Sequence, residues 1–273
     1  MVRPDLRRSC IVVHMKISII TATWNSEASI ADTQRSLKEQ HFPRDQIEWI
    51  VVDGASTDRT IECIQAGPFL PDKLVSERDN GIYDALNKGV RMATGDVIGF
   101  LHADDFLASP GVLYRLSCAF QNSGADAVYG DLQYVRPSGN GAFKVVRHWD
   151  SGIYYPRKLR WGWMPPHPAL YLKREIYEQA KLPNGEFFDT SYTCAADYDF
   201  MMRILGKYEV EPAYLRMVLV KMRVGGISNR SLKHIIRKSK EDWTAIRRNR
   251  IGHIHTLVWK NLGKLSQFFK CST

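Results

Sequence analysis

The chain has 273 residues, 44% of them hydrophobic and 25% charged, enough to bury a full core and closer to one elaborated domain than to two. No run of about 18 apolar residues occurs, which excludes a helical membrane span and leaves a soluble or peripheral protein. The formal charge of +9 is uneven: residues 228–273 hold eleven Lys or Arg against Glu241 and Asp242, so the excess resides in that segment and the main domain is neutral.

Residues 1–14 carry Arg3, Arg7 and Arg8 ahead of a short apolar stretch at 10–13 that is too brief for a signal peptide. They are expected to be a disordered or mis-assigned leader, with the true start at Met15. Residues 16–23 form an apolar strand ending in Thr21-Ala22-Thr23, residues 29–40 a helix with Ile30, Thr33 and Leu37 on one face, and residues 47–52 a second strand ending at Asp53-Gly54. A helix over 58–65, a strand over 73–76, a helix over 82–93 and a strand over 96–101 follow. Strands alternating with helices predict an α/β fold on a parallel sheet, which binds ligands beyond the carboxyl ends of its strands. Thr21, Asp53 and the pair Asp104-Asp105 all fall there. Past residue 125 the pattern changes to strands at 126–133 and 143–148, an aromatic loop over 161–168, a helix over 195–206, a strand-rich stretch over 210–223 and a basic helical segment over 231–269.

Adjacent carboxylates at Asp104 and Asp105 repel each other unless a cation or a ligand hydroxyl lies between them, and hard divalent ions suit such oxygens. Capping of a following helix is the plainer alternative. Asp53, after an apolar strand and before a sharp turn at Gly54, is placed to accept a hydrogen bond from a nucleobase, whereas Thr57 or Asp58 caps the next helix. The five cysteines, Cys10, Cys63, Cys118, Cys194 and Cys271, show neither a Cys-x-x-Cys pair nor metal-ligand spacing and fit a reducing compartment.

Residues 17–25 (ISIITATWN), 51–60, the Asp104-Asp105 pair and Ala196-Asp197-Tyr198-Asp199 occur in the order seen in family 2 glycosyltransferases, and the chain resembles that family over about residues 16–228. The stretch Asn80-Gly81-Ile82-Tyr83-Asp84-Ala85-Leu86-Asn87-Lys88-Gly89 is similar to bacterial members that build surface polysaccharides. The resemblance implies a GT-A fold, a nucleotide-sugar donor at the sheet edge, a divalent metal (Mn2+ or Mg2+) on its diphosphate, and inversion at the anomeric carbon. It assigns base contacts to Thr21 and Asp53, ribose or metal-water contact to Asp104, the metal to Asp105 and the general base to Asp197, whose pKa is expected to be modestly raised. Arg78, Lys88, His102 and His167 are candidates for phosphate or acceptor contacts. His102 stands where many members carry an acid, Gly54 where a second Asp is frequent, and Ala196 where a Glu is usual.

The expected organisation is a leader (1–14), a GT-A domain (15–227) with a nucleotide-binding half (15–125) and an acceptor half (126–227), and a basic helical tail (228–273). In the tail Ile251, Ile254, Leu257, Val258, Leu262, Leu265, Phe268 and Phe269 recur at spacings of three and four, flanked by Lys260, Lys264 and Lys270. That stripe either lies on an anionic membrane, bringing the enzyme to a lipid-linked or oligosaccharide acceptor at the cytoplasmic face, or packs on the domain. Two rivals remain. A nucleotidyltransferase making sugar nucleotides would need a glycine-rich triphosphate loop, and residues 21–27 contain no glycine. A non-catalytic binder of nucleotide or nucleic acid has no use for the carboxylate set, so no nucleic-acid partner is expected. A dinucleotide-binding Gly-x-Gly-x-x-Gly is absent after any strand.

Overall fold

The computed structural model describes residues 14–139, 141–224 and 232–266. The leader lies outside them apart from His14, and so do Phe268 and Phe269 of the tail stripe. The elements β1 (Ile17–Thr23), α1 (Ile30–Lys38), β2 (Ile47–Asp53), α2 (Thr60–Ala66), β3 (Lys73–Ser76), α3 (Ile82–Met92) and β4 (Val97–Phe100) alternate as the apolar pattern predicts. β5 (Asp105–Leu107), α4 (Val112–Ser123), β6 (Ala127–Pro137), β7 (Phe143–Trp149), α5 (Pro156–Leu159), β8 (Leu170–Lys173), α6 (Arg174–Gln179), α7 (Ala196–Met202), β9 (Ala213–Arg223), α8 (Leu232–Asn249) and α9 (Ile254–Ser266) complete the chain. β5, α4, β8 and α6 are additional to the elements expected from sequence, and the single basic helix expected after residue 231 is broken around Gly252.

Among the described residues nine strands form one sheet in the order β3-β2-β1-β4-β8-β6-β9-β5, with β7 on β6. β1 pairs in parallel with β2 and β4, and β2 with β3, so Thr23, Asp53, Ser76 and the chain leaving Phe100 arrive at one edge. β8 runs antiparallel to β4 and β6, and β5 antiparallel to β9. Successive side chains on a strand point to opposite faces, and each face here has its own core. Ile20, Ile50 and Phe100 pack with α3, α6, α7 and α8, whereas Ile19, Trp49 and Val51 pack with α1, α2 and α4. A Cβ on Gly89 would come within 2.4 Å of Ile20, so α3 approaches β1 closely because that position has no side chain.

The basic segment is not a free arm. Ala245 and Ile246 of α8 are in the first core, Glu241 accepts from the Cys194 amide at 2.7 Å, and Asp242 pairs with Lys260 of α9 at 2.6 Å with both side chains buried. Leu257 and Ile251 also pack against that core.

At the sheet edge remote from Asp53, the Glu48 carboxylate accepts from Ser18 Oγ (2.6 Å), the Thr94 amide and hydroxyl (2.7 Å each) and Lys73 Nζ (3.0 Å). It therefore ties β1, β2, β3 and the turn before β4 together. Burial alone would raise its pKa, but these hydrogen bonds outweigh burial and bring it from 4.5 to about 2. A depressed folded-state pKa contributes stability that is present above the unfolded value and lost as pH falls through the folded one. Glu48→Gln should thus lower the unfolding free energy by about 2–3 kcal/mol at neutral pH. The difference should shrink as pH falls from 4.5 towards 2, as urea titrations of both proteins would measure.

Candidate active site

Strand ends and the loops that follow them build the site. Asp53, fully buried at the end of β2, accepts from the Ser56 amide at 2.9 Å and the Ser76 hydroxyl at 2.7 Å, and from the Ser56 hydroxyl. It shapes the loop after β2, where Ala55 takes a φ of 59°. Asn25, at φ 47°, accepts from the Thr57 amide at 2.8 Å and its own amide donates to Ser56, which locks the loops after β1 and β2 together. Asp58 accepts from the Thr60 amide at 3.0 Å at the start of α2, in keeping with its capping role.

Thr21 does not reach this surface. Its side chain is fully buried, donating to the Leu101 carbonyl at 2.7 Å and accepting from Trp49 Nε1 at 2.9 Å. The base contact that the resemblance assigns to it does not fit, because the strand's alternation turns residue 21 into the core. Trp24, 57% exposed and close to Gly54, is the side chain presented at that mouth.

The adjacent carboxylates separate. Asp104 is half-buried in the turn after β4, whereas Asp105 is 1% exposed and begins β5. Asp105 Oδ1 accepts from the Arg223 amide at 3.3 Å, its carbonyl accepts from Thr33 Oγ1 at 2.7 Å, and Oδ2 is enclosed without a partner. Burial first, and the charge of Asp104 second, push the Asp105 pKa well above the usual range. The metal role assigned to Asp105 does not fit this enclosed position, and Asp104 is the carboxylate that faces outward.

Asp197 lies in the first turn of α7, half-buried, with Oδ1 accepting from Tyr83 Oη of α3 at 3.0 Å. Two residues on, and therefore on another side of the helix, Asp199 is buried in an ion pair with Arg203 at 3.1 Å. His167, held between Pro166 and Pro168, packs its ring 4.8 Å from Phe100 at the end of β4. Asp104 and Asp197 both act electrostatically on His102, and His167 interacts with both Asp197 and His102, so these four groups lie within electrostatic range of one another. Burial drives both imidazoles towards the neutral form, His167 to about 4, and His102 Nδ1 is buried without a partner. Burial also opposes the charge on Asp197, but His167, Lys238, Lys260 and the Tyr83 hydroxyl outweigh it and leave the pKa below the ordinary carboxylate value. The modest rise expected from sequence is therefore reversed.

Lys88 is drawn into a different cluster, pairing with Asp79 at 2.6 Å, Glu77 at 2.8 Å and Asp84 at 3.5 Å. Burial lowers its pKa, yet the carboxylates prevail and hold it raised, so its charge is already compensated. Arg78 beside it is exposed. Sequence reasoning did not single out Tyr83 or Lys238, and it read Lys260 as a cation flanking the apolar stripe of the tail, whereas the structure buries that side chain against Asp242. Tyr83 sits in the recognised stretch at 80–89, whereas the lysines act across more than 40 residues of sequence and carry no local signal.

Comparison with known proteins bears on the family and the fold. The model of "Glycosyl transferase family 2" matches residues 18–183. A PGL/p-HBAD biosynthesis glycosyltransferase of Mycobacterium tuberculosis is 30% identical over 223 residues, covering 78% of each chain. Among solved structures, Staphylococcus aureus TarS 1–349 in complex with UDP-GlcNAc superposes with a TM-score of 0.63 at 18% identity, covering 86% of this chain and 65% of that one. A mannosyltransferase from Pyrobaculum calidifontis in complex with GDP-Man and Mn2+ gives 0.59 at 22% identity, covering 87% and 64%. This chain thus spans somewhat under two thirds of either solved relative, and their likeness is one of fold. Ordered motifs, a matching family model and the shared sheet lead to one assignment: the chain belongs to glycosyl transferase family 2 and has the GT-A fold.

Proposed function

We propose that this enzyme moves a sugar from a nucleoside-diphosphate sugar to an acceptor hydroxyl with inversion, Asp197 being the general base. The observation that carries this reading is the position of Asp197, an ionised, half-buried carboxylate grouped with His102, Asp104 and His167 beyond the carboxyl ends of the central strands. Tyr83 occupies Oδ1, which leaves Oδ2 to accept the proton of the attacking hydroxyl. A low pKa makes Asp197 a weak base that is ready throughout the neutral range, so orientation by Tyr83 matters more than proton affinity. The complexes with UDP-GlcNAc and GDP-Man support a nucleotide sugar as donor class, and the name poly(ribitol-phosphate) beta-N-acetylglucosaminyltransferase borne by TarS supports a polymer as acceptor class.

Among the described residues no group of three or more His, Cys, Asp or Glu could enclose a metal by itself. A divalent ion on a diphosphate needs only one or two protein carboxylates, the substrate phosphates and water supplying the rest. Asp104 fits that demand, with His102 beside it to contact phosphate or an ion-bound water. When bound, such an ion would offset the negative charge that develops on the departing nucleoside diphosphate. The loop that Asp53 shapes would frame the base, Asp53 itself being fully buried with its carboxylate taken by Ser56 and Ser76, and Arg78 would make an outer phosphate contact. We further propose that the enzyme works at the cytoplasmic face of a membrane on a lipid-linked or oligosaccharide acceptor, through the basic segment 228–273. No described helix is long and apolar enough to cross a bilayer.

Asp104→Ala should abolish manganese-dependent binding of UDP or GDP sugars in calorimetry. Asp197→Asn should bind the same donor normally and transfer at least about 100-fold more slowly; normal transfer by that variant would sink the assignment. A third outcome concerns pH. His167 has a folded-state pKa near 4 against an ordinary 6.5, so its neutral form stabilises the fold above 6.5 and that contribution is lost as pH falls towards 4. His167→Phe should reduce the loss of thermal stability over that window, by on the order of 2 kcal/mol, as melting curves across the range would record.

A further inference from the structure

α9 is mounted with its polar side inward. Thr256 is fully buried and donates from Oγ1 to the Arg160 carbonyl at 2.7 Å, and Lys260 is buried in its pair with Asp242, its Nζ 3.2 Å from the centre of the Tyr198 ring. The helix backbone rests on Gly162, where a Cβ would lie 2.5 Å from the Lys260 nitrogen. The opposite side carries Ile254, Val258, Trp259 and Leu262, each between 46% and 60% exposed. At about 100° per residue these four span an arc of roughly 140°, with His255 among them. Trp161, 58% exposed, continues the surface from the main domain, its ring 6.0 Å from Trp259 and 5.5 Å from His255.

An apolar face of this extent, on a helix that docks through Thr256, Leu257 and Lys260, is stable in water only at a hydrophobic cost. We infer that this composite face, Trp161 with Ile254, Val258, Trp259 and Leu262, is an interfacial surface that lies on an anionic phospholipid layer. Charge decides the occupant. Exposed Arg157, Arg160 and Arg250 flank the face, no acidic residue occurs between Asp150 and Glu175, and none follows Asp242. A second copy on a two-fold axis would set these cations against their own images, whereas anionic headgroups complement them and tryptophan favours the headgroup level. The inference rests on the membrane-side reading proposed above and specifies its contact surface. It also links that surface to chemistry, because the buried side of the same helix holds Lys260 against Tyr198, the neighbour of Asp197.

The test is sedimentation of the full chain with phosphatidylcholine vesicles, with and without phosphatidylglycerol. The wild type and a Val258→Ser/Trp259→Ser/Leu262→Ser variant would be compared, together with a Trp161→Ala variant. The wild type should pellet with the anionic vesicles only. The triple variant should lose at least about tenfold in vesicle affinity while keeping its circular dichroism, melting temperature and UDP or GDP binding, and Trp161→Ala should weaken binding in the same direction. If the wild type binds and the triple variant binds equally, this face is not the contact, although membrane association stands. If the wild type does not sediment, both the face and the membrane reading fall, while nucleotide binding reports on the transferase reading separately. A wild-type dimer split by the triple variant would overturn the inference in favour of a second copy.

Discussion

A carboxylate that must remain ionised in a half-buried pocket sets the terms for much of this structure. Asp197 loses hydration where α7 meets the sheet edge, and an ionised carboxylate taken from water needs compensating charge and hydrogen bonds. Tyr83 donates from α3, and positive charge arrives from Lys238 and Lys260. Those lysines belong to α8 and α9, which explains why the basic segment is built into the domain instead of trailing from it. Lys260 has its own buried partner in Asp242, so the charge near Asp197 is balanced locally and the ion pair also fastens α9 to α8.

The same economy of charge separates Asp104 from Asp105. Two adjacent carboxylates cannot both ionise cheaply where water is scarce, and the chain resolves the conflict by folding one inward. Asp105 starts the strand that pairs with β9, its Oδ1 on the Arg223 amide and its carbonyl held by Thr33 from α1. Asp104 is thereby left as the outward carboxylate next to His102. Burial pushes His102 and His167 towards the neutral form beside these carboxylates.

Burying a helix by its polar side, as α9 does, couples what lies outside the protein to the site. Thr256 and Lys260 connect that helix to the turn at Arg160–Gly162 and to Tyr198, while its apolar side is turned outward. The chain after this turn leads to His167 through Pro165 and Pro166, with Pro168 directly after it, and these prolines fix φ and stiffen the connection.

Local pattern was sufficient for the β-α-β alternation, for the strand ends at Asp53 and Asp104, and for the ordered motifs that place the chain in its family. Continuous apolar runs and turn residues report on neighbours a few positions away, and a parallel sheet converts strand ends into a common edge. Periodicity also found the apolar stripe of α9, at Ile254, Val258 and Leu262, but could not say which way it would face. Tertiary structure alone decided that Thr21 points into the core, that Asp105 is enclosed while Asp104 is not, and that Asp197 has a lowered pKa. The last of these depends on desolvation, on charge from His167, Lys238 and Lys260 and on the Tyr83 hydroxyl, groups 30, 41, 63 and 114 residues away in sequence from Asp197. A one-dimensional pattern carries no information about such fields, because burial and Coulomb interaction act through space and not along the chain.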